Sequence, residues 1–369
     1  MSVRSRVSLD HIAPYTQGAA KSGFSSKNSG PVIKLSSNEA AFGPSVHAIE
    51  AYQQAAAGLH RYGEGSCLVL REALGHLHGL NPDRLVCGAG SDELIELLIR
   101  GYAGPGDEVI YSAHGFLMYP IAAQKSGALP VKAAEKHLQT DIEAILSAVT
   151  DRTKMVFIAN PNNPTGTYLP YSLLSTLRKR LPVHILLVID GAYAEFPWQD
   201  DYRDGRELVD LPDANTVMIR TFSKIYGLAG LRLGWGYFPD AISALLHRLR
   251  GPFNVSSPAV LAGVAALADQ AHVVRAREHN REWLGHYSKF LEPLGFGFTE
   301  SVANFVLIDC SAYGANKAEE VNQFLLKENM IIRPVANYGL PNHLRITIGQ
   351  EHENKEVMRL LEAWALTQQ

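Results

Sequence analysis

Lys224 stands in the stretch TFSKIYGLAGLRLGWG, directly after the apolar run Thr216 to Ile219, and a second cation, Arg232, follows in the same stretch. An amine held near apolar residues and another positive charge loses part of its preference for the ammonium form, so it can attack a carbonyl and form a Schiff base. An aldehyde that also carries a phosphate suits these surroundings, with the dianion on Arg232 and hydroxyl donors from Thr221 and Ser223 beside it. A lone Ser-Lys pair is more often a solvated loop, so the assignment depends on what the other strand ends supply.

Those ends are polar in a non-random way, and in open α/β sheets ligands bind outside the carboxyl ends of the strands. After Arg84 to Cys87 comes GAGSDELIELL. There Gly90, Ser91 and Asp92 open a helix, and its free backbone N–H groups suit a phosphate, worth about 1 kcal/mol with the helix dipole. Simple capping by Ser91 explains the same residues, while the missing third glycine of GxGxxG argues against a dinucleotide. NPNNPTG after Ile158 sets Asn163 in a stiff turn, its amide able to donate to a phenolate oxygen. HILLVIDGAYAEF ends an apolar run on Asp190, a carboxylate costly to bury without a cation. A pyridinium nitrogen would serve, with Tyr193 donating to a ring oxygen. In HGFLMY, Phe116 and Tyr119 offer aromatic faces, and Phe116 is assigned to stack on a flat ring. Covalent anchorage, an anionic partner for a ring nitrogen and a phosphate nest are together what pyridoxal 5'-phosphate (PLP) asks of a protein.

These residues need a sheet that delivers its strand ends to one edge. From residue 84 to 250, short apolar runs alternate with amphipathic segments, the pattern of a mainly parallel sheet covered on both faces. Strands are expected at Arg84 to Cys87, Glu108 to Tyr111, Met155 to Ala159, Ile185 to Ile189 and Thr216 to Ile219, and helices at Glu93 to Tyr102 and Tyr171 to Arg180. The chain's 369 residues exceed one compact core. Residues 1–32, rich in Ser, Gly and Lys, read as an arm, residues 33–250 as a large domain and residues 251–369 as a small α+β domain. In the last, helices are expected at Ala259 to Phe290 and Ala318 to Glu328, and strands at Phe305 to Asp309 and His343 to Ile348.

A formal net charge of -3 without a basic stripe argues against nucleic acid and for small molecules as partners. Cys67, Cys87 and Cys310 are widely separated, and His76 and His78 point away from each other on a helix, so neither disulfides nor a metal are expected. No stretch reaches the roughly 20 apolar residues of a membrane helix, and the front of the chain lacks a signal-peptide core. A cytoplasmic location is expected.

At NNPTG, DGAYAEF and TFSKIYGLAGLR, and again at IAPY, LSSNEAAFGPS and LRITIG, the chain resembles the fold-type I PLP aminotransferases. Within them it resembles the histidinol-phosphate aminotransferase family over nearly its whole length. The resemblance implies the α/β, PLP-dependent transferase fold type I, with a large domain whose mainly parallel central sheet lies between helices, a smaller α+β domain, and the N-terminal arm joining the latter. It implies Lys224 as covalent anchor, Asp190 on the ring nitrogen, Asn163 and Tyr193 on the ring oxygen, and Arg232, Ser223 and Thr221 on the phosphate. A homodimer is implied as well, in which Tyr62 of RYGEGS reaches the neighbouring subunit's phosphate. Gly63 and Ala89 stand where the family more often has proline and asparagine. Arg345 of LRITIG would take the carboxylate of glutamate bidentately. Arg333 and Tyr15 would take the phosphate of histidinol phosphate, and Asn38 and Tyr119 complete the expected substrate site.

The implied activity is transamination between L-histidinol phosphate and 2-oxoglutarate in histidine biosynthesis. An aromatic amino-acid aminotransferase on the same scaffold stays open, since a ring change in an apolar pocket is worth only ~1 to 3 kcal/mol. So, more distantly, does a threonine-phosphate decarboxylase. A ligand-sensing regulator would need a DNA-binding domain for which the chain has no room.

Overall fold

The computed structural model of the chain describes Ile12, residues 30–213 and residues 215–368. Most of the expected arm, Tyr15 included, lies outside the described residues. The main sheet is built from β1 Leu85–Gly88, β2 Glu108–Ser112, β3 Leu129–Ala133, β4 Thr153–Ala159, β5 Leu186–Asp190, β6 Thr216–Thr221 and β7 Gly234–Tyr237. Their order across it is β1-β7-β6-β5-β4-β2-β3. β7 runs antiparallel to β1 and β6, and the remaining pairs are parallel. β1 to β6 therefore all end at one edge. β5 and β6 are buried along their whole length, which is why they read as apolar runs rather than alternating ones.

Each expected strand is present with small shifts at its ends, whereas β3 and β7 were not anticipated. β3 is an edge strand with mixed exposure, and β7 is GWGY, whose glycines weaken the strand signal. Those glycines are required by contact. A Cβ on Gly234 would lie 2.4 Å from the Ser91 amide nitrogen, and one on Gly236 would lie 2.8 Å from the Met218 carbonyl. β7 thus presses directly against the turn that opens the helix Ser91–Tyr102.

The second domain has an antiparallel sheet of β8 Gly297–Phe298, β9 Phe305–Asp309, β10 Arg333–Pro334 and β11 His343–Thr347, in the order β8-β9-β11-β10. The helices Gln270–Leu294, Lys317–Lys327 and Glu351–Leu366 share its core, in which Leu35, Tyr287, Val306, Ile346 and Leu361 meet. Ile33 and Lys34 pair in parallel with Met330 and Ile331, which fixes the front of the described chain to this domain.

One expected helix is two. Ser257–Ala268 and Gln270–Leu294 meet at a 74° bend, where the Asp269 side chain caps the second by accepting the His272 N–H at 3.1 Å. The first packs with Leu70, Phe222 and Leu233 in the large core. The core of the main sheet thus takes in residues beyond 250, Val273 and Phe305 included, while Leu35 packs in the other core. Among the described residues no single helix is long and apolar enough to cross a membrane.

Candidate active site

The ends of β1, β4, β5 and β6 open onto a cavity of about 620 Å³ whose opposite wall comes from the small domain. Lys224 reaches it from the bend after β6. Its Nζ donates to the Ser37 carbonyl at 3.2 Å and lies 5.6 Å from the centre of the Tyr193 ring. Burial and the nearby Arg345 charge, helped by Arg232, push the amine down to about 8, against the pull of Asp92 and Glu39. A fraction of the amine is thus a free nucleophile near neutral pH.

At the phosphate end, Gly90 takes a φ of 85° as the residue before the helix, and no side chain caps the helix N-terminus, so the capping role considered for Ser91 is not seen. Ser91 and Asp92 line the cavity. Arg232, itself at φ 52°, lays its guanidinium over this turn and pairs with Asp92 Oδ2 at 3.1 Å. A Cβ at Gly90 would come 2.5 Å from Arg232 Nη2, so only glycine lets the turn and the arginine share the space. Ser223 lines the cavity beside them. The Thr221 hydroxyl, expected on the phosphate, accepts the Ser223 N–H at 3.1 Å and faces the Leu233 carbonyl at 3.4 Å, holding the turn into Lys224.

Asp190 ends β5 with 4% exposure. Tyr119 donates to its Oδ2 at 2.8 Å and the Ala192 N–H to its Oδ1 at 3.1 Å. Burial raises its carboxyl to about 6 in spite of these two donors, so the group favours a cationic ligand that restores its charge. Tyr119, expected among the substrate contacts, lines the cavity with its ring stacked on Phe157 at 4.6 Å and its hydroxyl on Asp190. Phe116 stays at the cavity, edge-on to Tyr119.

Asn163 gives its Oδ1 to Arg345 Nη1, which leaves its NH₂ group as donor. Tyr193 is 3% exposed and receives a hydrogen bond at 2.8 Å from Asn38 Nδ2. Asn38, expected in the substrate site, lines the cavity with one amide N–H on Tyr193. Arg345 also donates to the Ser36 carbonyl at 2.8 Å, and Arg333 stands directly opposite it in the β10–β11 ladder. Tyr62 does not join this cavity. It is 83% exposed and stacks on Phe253 at 4.5 Å, in a loop where a Cβ on Gly63 would lie 2.3 Å from Ser257 Oγ.

The residues that sequence reasoning missed belong to the small-domain wall: Lys34, Ser36, Ser37, Glu39 and Tyr338. Lys34 and Glu39 pair at 2.7 Å. The signal for this wall was LSSNEA, of which Asn38 alone had been taken, while nothing local marked Tyr338. A flat aldehyde with a phosphate fits the donor set: a depressed lysine amine, an arginine over an uncapped helix N-terminus, and a buried carboxylate short of a cation.

Fold and site together define an aminotransferase of class I and II, the family that residues 30–363 match. Histidinol-phosphate aminotransferase of Rhodopseudomonas palustris strain TIE-1 is 49% identical over 350 residues, 95% of each chain, and that of Rhodospirillum centenum is 49% identical over 353 residues, 96% of each. The crystal structure of histidinol-phosphate aminotransferase from Sinorhizobium meliloti in complex with pyridoxal-5'-phosphate matches with a TM-score of 0.85 at 27% identity, over 91% of each chain. Within the class, the chain belongs to the histidinol-phosphate aminotransferase family.

Proposed function

We propose that the protein exchanges an amino group between L-histidinol phosphate and 2-oxoglutarate, giving imidazole-acetol phosphate and glutamate in histidine biosynthesis, with PLP held at Lys224. The observation that carries the substrate is the pair Arg333 and Arg345, 7% and 5% exposed and opposite each other across one ladder. Both line the cavity, and two guanidiniums there suit a substrate that carries a carboxylate or a phosphate. Arg345 would hold the carboxylate of glutamate and Arg333 the phosphate of histidinol phosphate.

Bound PLP supplies an electron sink for the charge left when the substrate loses its α proton. The side chains do the rest. Asp190 keeps the ring nitrogen charged, Asn163 and Tyr193 donate to the ring oxygen, and Arg232, Ser223 and the N–H groups of Ser91 and Asp92 hold the phosphate. Once the substrate's amine has displaced it from the cofactor, the Lys224 amine would take the α proton and return it one position along, general acid–base work typically worth about 10² to 10⁴ in rate.

The reading includes a cytoplasmic homodimer. Val46, Ile49, Tyr52, Leu59 and Tyr62 form an exposed apolar set suited to a second copy, with Tyr62 serving the partner's phosphate. Steady-state turnover of L-histidinol phosphate, phenylalanine and tyrosine, each with 2-oxoglutarate, tests the substrate. The phosphate ester should have the highest kcat/KM, and Arg333→Leu should lower that value about a hundredfold while changing phenylalanine turnover far less. Faster turnover of phenylalanine or tyrosine would establish the aromatic aminotransferase instead.

A further inference from the structure

Asn38 occupies an unusual position for a residue with no obvious place in the chemistry. It is 1% exposed, at a φ of 54°, in a segment that touches both domains. The preceding residues give their carbonyls to Arg345 and Lys224, and Asn304 Nδ2 holds the Asn38 carbonyl at 3.0 Å. Thr347 Oγ1 accepts the Asn38 N–H at 2.9 Å and donates to its Oδ1 at 3.3 Å. That second bond aims the amide nitrogen at Tyr193, whose hydroxyl oxygen it meets at 2.8 Å.

A phenol has one proton and two acceptor positions. With one acceptor position taken by an N–H, the proton is turned elsewhere, and the cavity is the remaining direction. Tyr193 packs its ring edge-on against Phe305 at 5.3 Å, so the ring is held and only the hydroxyl proton can choose. Burial pushes the phenol up, and the Arg345 charge and the Asn38 bond oppose that.

We propose that Asn38 is a positioning residue which, by donating to the Tyr193 hydroxyl oxygen, directs the Tyr193 proton onto the ring oxygen of bound PLP. This rests on the PLP reading of the site. The reversed amide would have the opposite consequence, since an Asn38 carbonyl facing Tyr193 would consume that proton and leave none for the cofactor.

The test is the pH midpoint of the visible absorbance of the holoenzyme. A donor on the ring oxygen draws charge away from the nitrogen that joins Lys224 to the cofactor, so losing it makes that nitrogen hold its proton to higher pH. Asn38→Gly removes the donor and tolerates the left-handed backbone. It should raise the midpoint by about 0.5 unit, the scale of one neutral hydrogen bond. Tyr193→Phe should raise it at least as much, and the double variant should match Tyr193→Phe alone, because coupled residues are not additive. Asn38→Asp, which can only accept, should raise it further than Asn38→Gly.

A midpoint that is unchanged or lowered in Asn38→Gly overturns the proposal. So does a double variant in which the two shifts add in full. A wild-type protein without a cofactor band, or a pH midpoint that survives Lys224→Ala unchanged, sinks the PLP reading and this inference with it, an outcome distinct from a normal band that Asn38 does not move.

Discussion

Arg220 and Lys224, on β6 and the turn after it, belong to two buried charge clusters of opposite design. Arg220 pairs with Glu195 at 2.7 Å and Asp204 at 2.6 Å, all three almost fully buried, and lies 5.4 Å from the Trp235 ring centre. Burial works against its charge, yet Glu195 and Asp204 outweigh burial and hold the guanidinium above its ordinary value. Burial likewise raises Asp204, but Arg220 and Arg206 overcome it and hold that carboxyl low, whereas Glu195 stays raised by burial although Arg220 opposes it. In the other cluster, Lys224 bonds to a backbone carbonyl, and Asp190 to a phenol and a backbone N–H. Both shift toward neutrality, the lysine down to about 8 and the carboxyl up to about 6. A buried charge that finds its counter-charge inside the chain serves the fold. One denied it is kept available for a ligand.

The comparison breaks most visibly at Lys224. Lys224→Ala should abolish the absorbance of the Schiff base between Lys224 and the cofactor and lower kcat by at least ~10²- to 10⁴-fold, with little loss of stability, because removing a partly discharged amine relieves burial strain. Arg220→Leu should do the reverse. Removing one partner of a buried pair costs about 3 to 5 kcal/mol, read as a lower urea midpoint, while kcat per folded molecule changes far less than in Lys224→Ala. If Arg220→Leu instead left stability unchanged and removed activity, the division between the two clusters would be wrong.

The active cluster was legible in sequence for a physical reason that the structural one was not. The residues proposed to hold the cofactor sit at strand ends, where an apolar run stops on a polar residue, so Asp190, Asn163 and Lys224 each carry a local signature. Arg220 reads simply as a polar residue inside a strand, and its partners Asp204 and Glu195 come from the preceding loop, 16 and 25 residues away, with no spacing that marks the pairing. The small-domain wall was illegible because its contacts are still longer in range. Asn38 meets Tyr193 across 155 residues and Thr347 across 309, separations that no window of sequence spans. β7 was hidden because Gly234 and Gly236 satisfy close contacts rather than strand preference. The break at Asp269 was hidden because both flanking segments are helical and only a cap divides them.

Tyr119 gives the finest cut through the comparison, since its hydroxyl is the side-chain donor that supports the Asp190 carboxylate beside the Ala192 N–H. Asp190 is raised above the ordinary carboxylate value, chiefly by burial, while the Tyr119 bond favours the ionised form. Cofactor affinity that depends on this charge is therefore present above about pH 6 and is lost as pH falls through that value. Tyr119→Phe removes the donor and keeps the ring on Phe157, so the carboxyl moves up again and the acid limb of PLP binding shifts to higher pH by about one unit at most. Measured by fluorescence titration of the cofactor-free protein, affinity at pH 8 should change little while affinity at pH 6 falls several-fold. A uniform loss at all pH values would mean that Tyr119 supports the shape of the cavity rather than the charge of Asp190.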